Sequence, residues 1–263
     1  MSLSEPFAVE AHELVKRFGH TFAVRGIDLA VPRGEIFGLL GSNVAGKTTT
    51  LRMLCGLTVP SSGAVAISGI DVWREPEAAK ARLGYLDEEP LVYPNLTGRE
   101  FLGFVADLYG LDGGWERRRT IERLLSLFEL ADVGDDMIGS YSHGMRQKIG
   151  LASLLIHEPE VLLLDEPTNG LDPRSARRVK DLLEQLSSRG TTILLSTHIL
   201  EVAQALCHRI AIMDHGQIAA IGTMQELRAR AGDAGASLEE LFLQLTGGAG
   251  EQELIEQLLG PAR

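Results

Sequence analysis

The chain has 263 residues, 44% apolar content and a formal net charge of −11, which fits a globular fold with a sizeable buried core and excludes a disordered or fibrous chain. The negative balance argues against a general nucleic-acid binder that relies on a positive surface, so no nucleic-acid partner is expected. Two cysteines, Cys55 and Cys207, are too few for a disulfide framework and read as small buried apolar residues in a reducing compartment. The opening MSLSEPFAVE lacks the basic and apolar regions of a secretory leader, and the longest apolar runs (149–156, 161–164) fall short of the ~18 residues a spanning helix needs. Any membrane role is expected to come through a partner.

In chain order, the alternation over 7–10, 27–31 and 35–40 predicts short strands, with a turn at Pro32-Arg-Gly34. A glycine-bounded loop follows, and from Thr48 the spacing Leu51, Leu54, Cys55 predicts a helix that stops near Gly56. Residues of about 90–157 read as a helical subdomain inserted into an α/β core. Thr97 and Glu100 form a capping box there, and Phe101, Val105, Leu108 and Tyr109 are expected on one inward face, with Gly110 as the stop. A second helix carries Ile121, Leu124, Leu125 and Phe128, and a third, after Ser142, carries Ile149, Ala152 and Ile156. The continuous run Val161–Asp165 has the character of a buried parallel strand. Asp172 then caps a helix with Pro173 at its first position and Ala176, Val179, Leu182, Leu183 and Leu186 inward. Residues 192–196, 210–213 and 217–221 read as strands, 224–230 and 237–245 as short helices, and Leu254, Ile255, Leu258 and Leu259 as an amphipathic end expected to pack on the core, with a second subunit as the alternative.

The strongest chemical signal is Gly41-Ser42-Asn43-Val44-Ala45-Gly46-Lys47-Thr48, which matches the phosphate-loop pattern GxxxxGK[ST] and lies between a predicted strand and a helix. Backbone N–H groups of such a loop, with the positive end of the following helix, cradle the phosphates of a nucleotide. Lys47 is placed to reach the β and γ phosphates and Thr48 to hold Mg²⁺ through its hydroxyl. A second strand, ending in Asp165 and Glu166, supplies a carboxylate for Mg²⁺ and one for a water beside the γ phosphate.

Three further runs carry a family resemblance. Tyr141-Ser142-His143-Gly144-Met145-Arg146-Gln147-Lys148 resembles the signature motif of ATP-binding cassette ATPases, Asp165-Glu-Pro-Thr-Asn-Gly-Leu-Asp172 resembles their carboxylate strand and D-loop, and Ser196-Thr-His198 their switch histidine. With the phosphate loop the motifs stand in the family's order and span about residues 7–225. The resemblance implies an α/β fold: a P-loop NTPase core with a RecA-like, mostly parallel sheet, an N-terminal antiparallel β subdomain and an inserted helical signature subdomain. The cassette domain is expected over 1–222, with a helical extension over 223–263. It further implies that two cassettes pair head to tail, in a homodimer or heterodimer. Each ATP is then held between one phosphate loop (Gly41 through Thr49) and the other cassette's signature segment (Ser142, His143, Gly144, Met145), with Asp172 nearby. By the same resemblance Phe18 stacks on adenine, Glu166 and His198 serve catalysis, and Thr48, Asp165 and Glu88 hold Mg²⁺.

Three positions depart from the family pattern. Val44 stands where a glycine is usual; if that position needs positive φ, a β-branched residue there is penalised by about 1–2 kcal/mol, a roughly tenfold loss in affinity. On that premise Val44→Gly is expected to strengthen nucleotide binding. Glu88 stands in place of a common Gln, and His143 and Met145 replace a Gly and a Gln. The last pair, with the runs at 93–100 and 238–246, is similar to the bacterial exporter branch serving multidrug, sodium and polysaccharide permeases. The expected function is an ATPase subunit bound to the inner face of the cell membrane through a separate permease. Two other readings are a soluble cassette ATPase of translation or chromosome maintenance, and a nucleotide-binding regulator whose turnover Val44 impairs. Against the first, one cassette is present and no sustained heptads separate Gly41 from Ser142.

Overall fold

The computed structural model describes residues 7–230 and 236–246. Strands β1 (Phe7–Phe18) and β2 (Thr21–Pro32) form a long antiparallel hairpin, after which β3 (Ile36–Leu40) runs into the phosphate loop and helix α1 (Lys47–Leu54). Strands β4 (Ser62–Ile67) and β5 (Ile70–Asp71) complete a four-stranded sheet in the order β2-β1-β4-β5. Helix α2 (Pro76–Lys80) leads to β6 (Leu83–Leu86), and the inserted helices α3 (Gly98–Leu108), α4 (Trp115–Leu127) and α5 (His143–Leu154) follow. The core resumes with β7 (Val161–Asp165), α6 (Pro173–Ser188), β8 (Thr192–Thr197), α7 (Leu200–Leu206), β9 (Arg209–Asp214) and β10 (Gln217–Gly222). Helices α8 (Met224–Arg230) and α9 (Leu238–Thr246) close the described chain.

The second sheet has the order β10-β9-β3-β8-β7-β6, parallel except for β10, which pairs antiparallel with β9. Its central strands are buried on both faces, which is why they read as unbroken apolar runs. The two-residue alternation of side chains divides them between two cores. Phe37, Leu39, Val161, Leu163 and Leu194 face the antiparallel sheet and α1, whereas Ile36, Leu162, Leu164, Ile193 and Leu195 join the helical side. Leu227, Leu238 and Leu241 of α8 and α9 pack with Leu40, Ile210 and Ile212 in a third cluster at the sheet edge. The amphipathic stretch 254–259 lies outside the described residues.

Several expectations change. β1 and β2 are much longer than four or five residues; register shifts between Ala11 and Leu14, with Glu13 at φ +45°, break the two-residue alternation that would have marked them. Strands β4, β5 and β6 and helix α2 had no clear periodic signal at their short lengths. The capping box on α3 forms in both directions. Its buried face, however, is Phe101, Leu102 and Ala106, while Leu108 is 68% exposed. The packed face of α3 runs through Leu102 and Ala106 into the last turn, so Leu108 lies off it, and Tyr109 stacks on His157 with ring centroids 3.7 Å apart. In α6 the inward stripe includes Ser175 and Ser187, with Ala176, Leu182 and Leu186 only half-buried. Cys55 is buried and Cys207 half-buried, and desolvation pushes both thiols up to about 12.

This register predicts contrasting effects of two leucine truncations in the subdomain. Leu125→Ala, at a fully buried site, should cost about 2–5 kcal/mol of unfolding free energy in urea titrations. Leu108→Ala should change it by no more than about 0.5 kcal/mol; equal losses would mean that the exposed face is wrongly placed.

Candidate nucleotide site

The carboxyl ends of parallel strands in an open α/β sheet are where ligands bind. Here β8 lies between β3 and β7, so the loop after β3, Asp165 and Glu166 after β7, and His198 after β8 meet at one edge although they are far apart in sequence. Residues 42–44 form the exposed crest of the phosphate loop, Ala45 is buried, and Thr48 and Thr49 are half-buried at the start of α1. Gly46 takes φ +100°, and a Cβ there would lie 2.4 Å from the carbonyl oxygen of Ala23, so only glycine fits.

Lys47 is 5% exposed and folds back into its own loop, its Nζ donating to the carbonyl oxygens of Gly41 and Ser42 at 2.8 and 3.0 Å. Burial pushes its ammonium below the usual lysine range, while the carboxylates of Glu166, Asp165 and Glu88 act in the opposite direction. Its nearest anion is Glu166, with Nζ 3.8 Å from Oε1. The same carboxylate oxygen lies 2.8 Å from His198 Nδ1. Lys47, Glu166 and His198 therefore form one buried-to-exposed charge chain, with His198 at its open end. Glu166 carries φ +46°, a strained backbone for a residue with a Cβ.

Asp165 is fully buried; its Oδ1 accepts from Ser196 Oγ, and its Oδ2 has no hydrogen-bond partner. An unpaired buried carboxylate oxygen costs about 1–3 kcal/mol, so the group calls for a cation or water. No group of three or more His, Cys, Asp or Glu side chains that could hold a metal exists among the described residues. Mg²⁺ takes one or two protein oxygens and completes its shell with substrate phosphates and water, and the unpaired Oδ2 of Asp165 is an oxygen that such an ion could take. Asp165 and the hydroxyl of Thr48 are donors of that kind. Glu88 is exposed, with its Oε1 3.5 Å from Asn169 Nδ2, and its loop is tied to α1 by Arg52, which donates to both oxygens of Asp87.

The signature segment stands apart from this cluster. Among the described residues, no hydrogen bond or ion pair links 142–145 to 41–49. Ser142 caps α5, its Oγ accepting from Met145 N at 3.2 Å, and Met145 packs toward the helical core. His143 is exposed and lies over Gly170, whose φ is +71° and whose Cβ would collide with the imidazole. Gly144 approaches the carbonyl oxygen of Gly170. Asp172 is engaged as the cap of α6, accepting from Arg174 N and Ser175 N at 3.0 Å, and the Ser175 hydroxyl holds its carboxyl below the usual range. Phe18 is 55% exposed at the end of β1, with Lys16 Nζ 4.8 Å from its ring centre.

Val44 corrects the sequence argument. It is 86% exposed and is absent from the positive-φ residues of the described chain; in the loop that conformation belongs to Gly46. The strain premise therefore fails, because an ordinary φ places no penalty on a β-branched side chain. Sequence reasoning also missed Ser196 as the partner of Asp165, Asn169 on Glu88 and the Arg52–Asp87 tie. Only the first had a signal, its place beside Thr197-His198 in a motif already noted.

The family described as "ABC transporter" matches residues 24–169. The chain is 45% identical over 217 residues to the daunorubicin resistance ATP-binding protein DrrA3 of Streptomyces coeruleorubidus, covering 82% of this chain and 68% of that one. It is 38% identical over 224 residues to the linearmycin resistance ATP-binding protein LnrL of Bacillus subtilis, covering 85% and 72%. Among solved structures, an ATP-binding subunit of an ABC transporter superposes with a TM-score of 0.85 at 34% identity, covering 90% of this chain and 99% of that one.

Because Val44 is unstrained, Val44→Gly should leave ATP affinity within about fivefold, its main effect being a freer loop that costs roughly 0.5–1 kcal/mol of ordering. Calorimetric titration with ATP measures this; a tenfold gain in affinity would restore the strain argument.

Proposed function

The chain belongs to the ABC transporter family, as an ATP-binding and ATP-hydrolysing subunit, and from that premise we propose that it powers export through a separate integral-membrane permease. Among the described residues no helix is long and apolar enough to cross a membrane, so the spans come from the permease and the chain docks on its cytoplasmic face. The drug-resistance names of its relatives favour export over uptake. Two cassettes, of this chain or of this chain with a related one, close on ATP, and the exposed signature segment 142–145 meets the nucleotide held by the opposite phosphate loop. ATP binding and hydrolysis thereby shift the pair between closed and open states.

The observation that carries this reading is the convergence of Lys47, Glu166 and His198 within 3.8 and 2.8 Å at the edge that holds the phosphate loop. Incoming phosphates take over the Lys47 donors now spent on Gly41 and Ser42. Residues 41–49 wrap the phosphates with backbone N–H groups, and Phe18 covers the adenine. Thr48, Asp165 and Glu88 are the residues that would hold Mg²⁺, and the ion would supply positive charge against that of the phosphates. Glu166 takes a proton from the attacking water as its oxygen bonds to the γ phosphorus and the bond to the β–γ bridging oxygen breaks. His198, hydrogen-bonded to Glu166, orients that carboxylate and contacts the γ phosphate. The regulator alternative rested on Val44, and the ordinary φ of that residue removes backbone strain from its support.

Glu166→Gln should lower phosphate release by about 100-fold or more and trap an ATP-bound dimer visible by size-exclusion chromatography. A variant that hydrolyses ATP at the parent rate would count against the assignment. Chelation with EDTA should abolish phosphate release and added Mg²⁺ restore it; turnover that persists without divalent metal would remove Asp165 and Thr48 from the proposed roles.

A further inference from the structure

Gln147, the fifth residue of α5, is fully buried, although glutamine is mostly exposed in proteins. Its Nε2 donates to the carbonyl oxygen of Glu166 at 3.5 Å, and its Oε1 has no partner. Buried side-chain amides are seldom left half used, so this one calls for an explanation. Core filling alone does not supply it, because an apolar side chain of the same volume would fill the space without desolvating an amide.

The residue it touches supplies one. Glu166 is held in a left-handed backbone conformation, φ +46°, which persists in residues with a Cβ only where the surroundings over-determine it. Its N–H is fixed by the carbonyl oxygen and Oγ of Ser196 at 3.2 and 3.3 Å, and its carbonyl oxygen by Asn169 N at 3.0 Å and by Gln147. The Ser196 contacts come from β8 and the Asn169 contact from the same loop. Gln147 comes from the helix whose N-terminus is the signature segment, five residues from Ser142. Its hydrogen bond is near the upper limit of length, so a movement of α5 by a few tenths of an ångström either tightens or breaks it.

We propose that Gln147 is a positioning residue for Glu166, transmitting the position of the signature helix to the carboxylate beside Lys47 and His198. The inference rests on the reading above that Ser142–Met145 engages the nucleotide of the opposite cassette. On that reading, occupancy of one site moves α5, and Gln147 sets the orientation of the glutamate in the other. Each cassette then prepares its own glutamate only when its signature segment is engaged.

Gln147→Met keeps the volume and removes the donor. In the full chain with MgATP it should lower kcat at least tenfold, leave KM for ATP within twofold and the melting temperature near the parent's, and let the ATP-bound dimer accumulate. An unchanged kcat overturns the proposal, as does a kcat loss matched by a rise in KM and a fall in melting temperature. If methionine destabilises the fold, Gln147→Leu carries the test, being close in volume with no hydrogen-bond donor. A kcat loss at unchanged KM supports the role, and parent-like kcat overturns it. Glu166→Gln assayed alongside reports on hydrolysis separately. Its turnover falling while Gln147→Met keeps the parent kcat would remove the positioning role and leave the proposed function standing.

Discussion

Burial of both faces of β3, β8 and β7 is the constraint on which the rest of the molecule depends. These strands give their alternate side chains to two different cores, so they can neither slip in register nor leave the sheet without exposing apolar surface on one side or the other. Their carboxyl ends are consequently fixed relative to each other: Asp165 ends β7, Glu166 and His198 follow β7 and β8 by one residue, and Lys47 is joined to the end of β3 by the phosphate loop. The rigidity of an apolar interior is what holds polar chemistry in place at its edge.

That edge stores unfavourable arrangements. A lysine is nine-tenths buried and bonded to its own loop, a buried aspartate has an oxygen without a partner, and a glutamate sits in left-handed backbone. Each would be costly in isolation. Phosphate oxygens would relieve the ammonium and a cation the carboxylate, whereas the backbone of Glu166 is held by Ser196, Asn169 and Gln147.

Much of this was legible in the sequence. The phosphate loop, the carboxylates after a buried run, the capping box on α3 and the cap of α6 all depend on residues close together in the chain, where spacing translates directly into geometry. The long hairpin of β1 and β2 was not, because bulges between Ala11 and Leu14 interrupt the alternation. The buried face of α3 is turned toward Leu102 and Ala106, which leaves Leu108 at its edge, since apolar spacing groups residues on a face without fixing which side of it meets the neighbouring body. Val44 illustrates the same limit at the site: a departure from a motif suggested strain, but which loop residue takes positive φ depends on how the loop lies against Ala23, and that residue is Gly46.

By itself the sequence determined the nucleotide chemistry, the residue types that perform it and the α/β class, because those rest on short motifs and local pattern. Only the tertiary structure decided that β8 separates β3 from β7, so that Lys47, Glu166 and His198 become neighbours across more than 150 positions of chain. It alone placed Gln147 beneath Glu166 and, among the described residues, left 142–145 with no hydrogen bond to the phosphate loop of its own chain. Strand order and the placing of a helix follow from which apolar faces bury one another at a distance, and no local spacing encodes that.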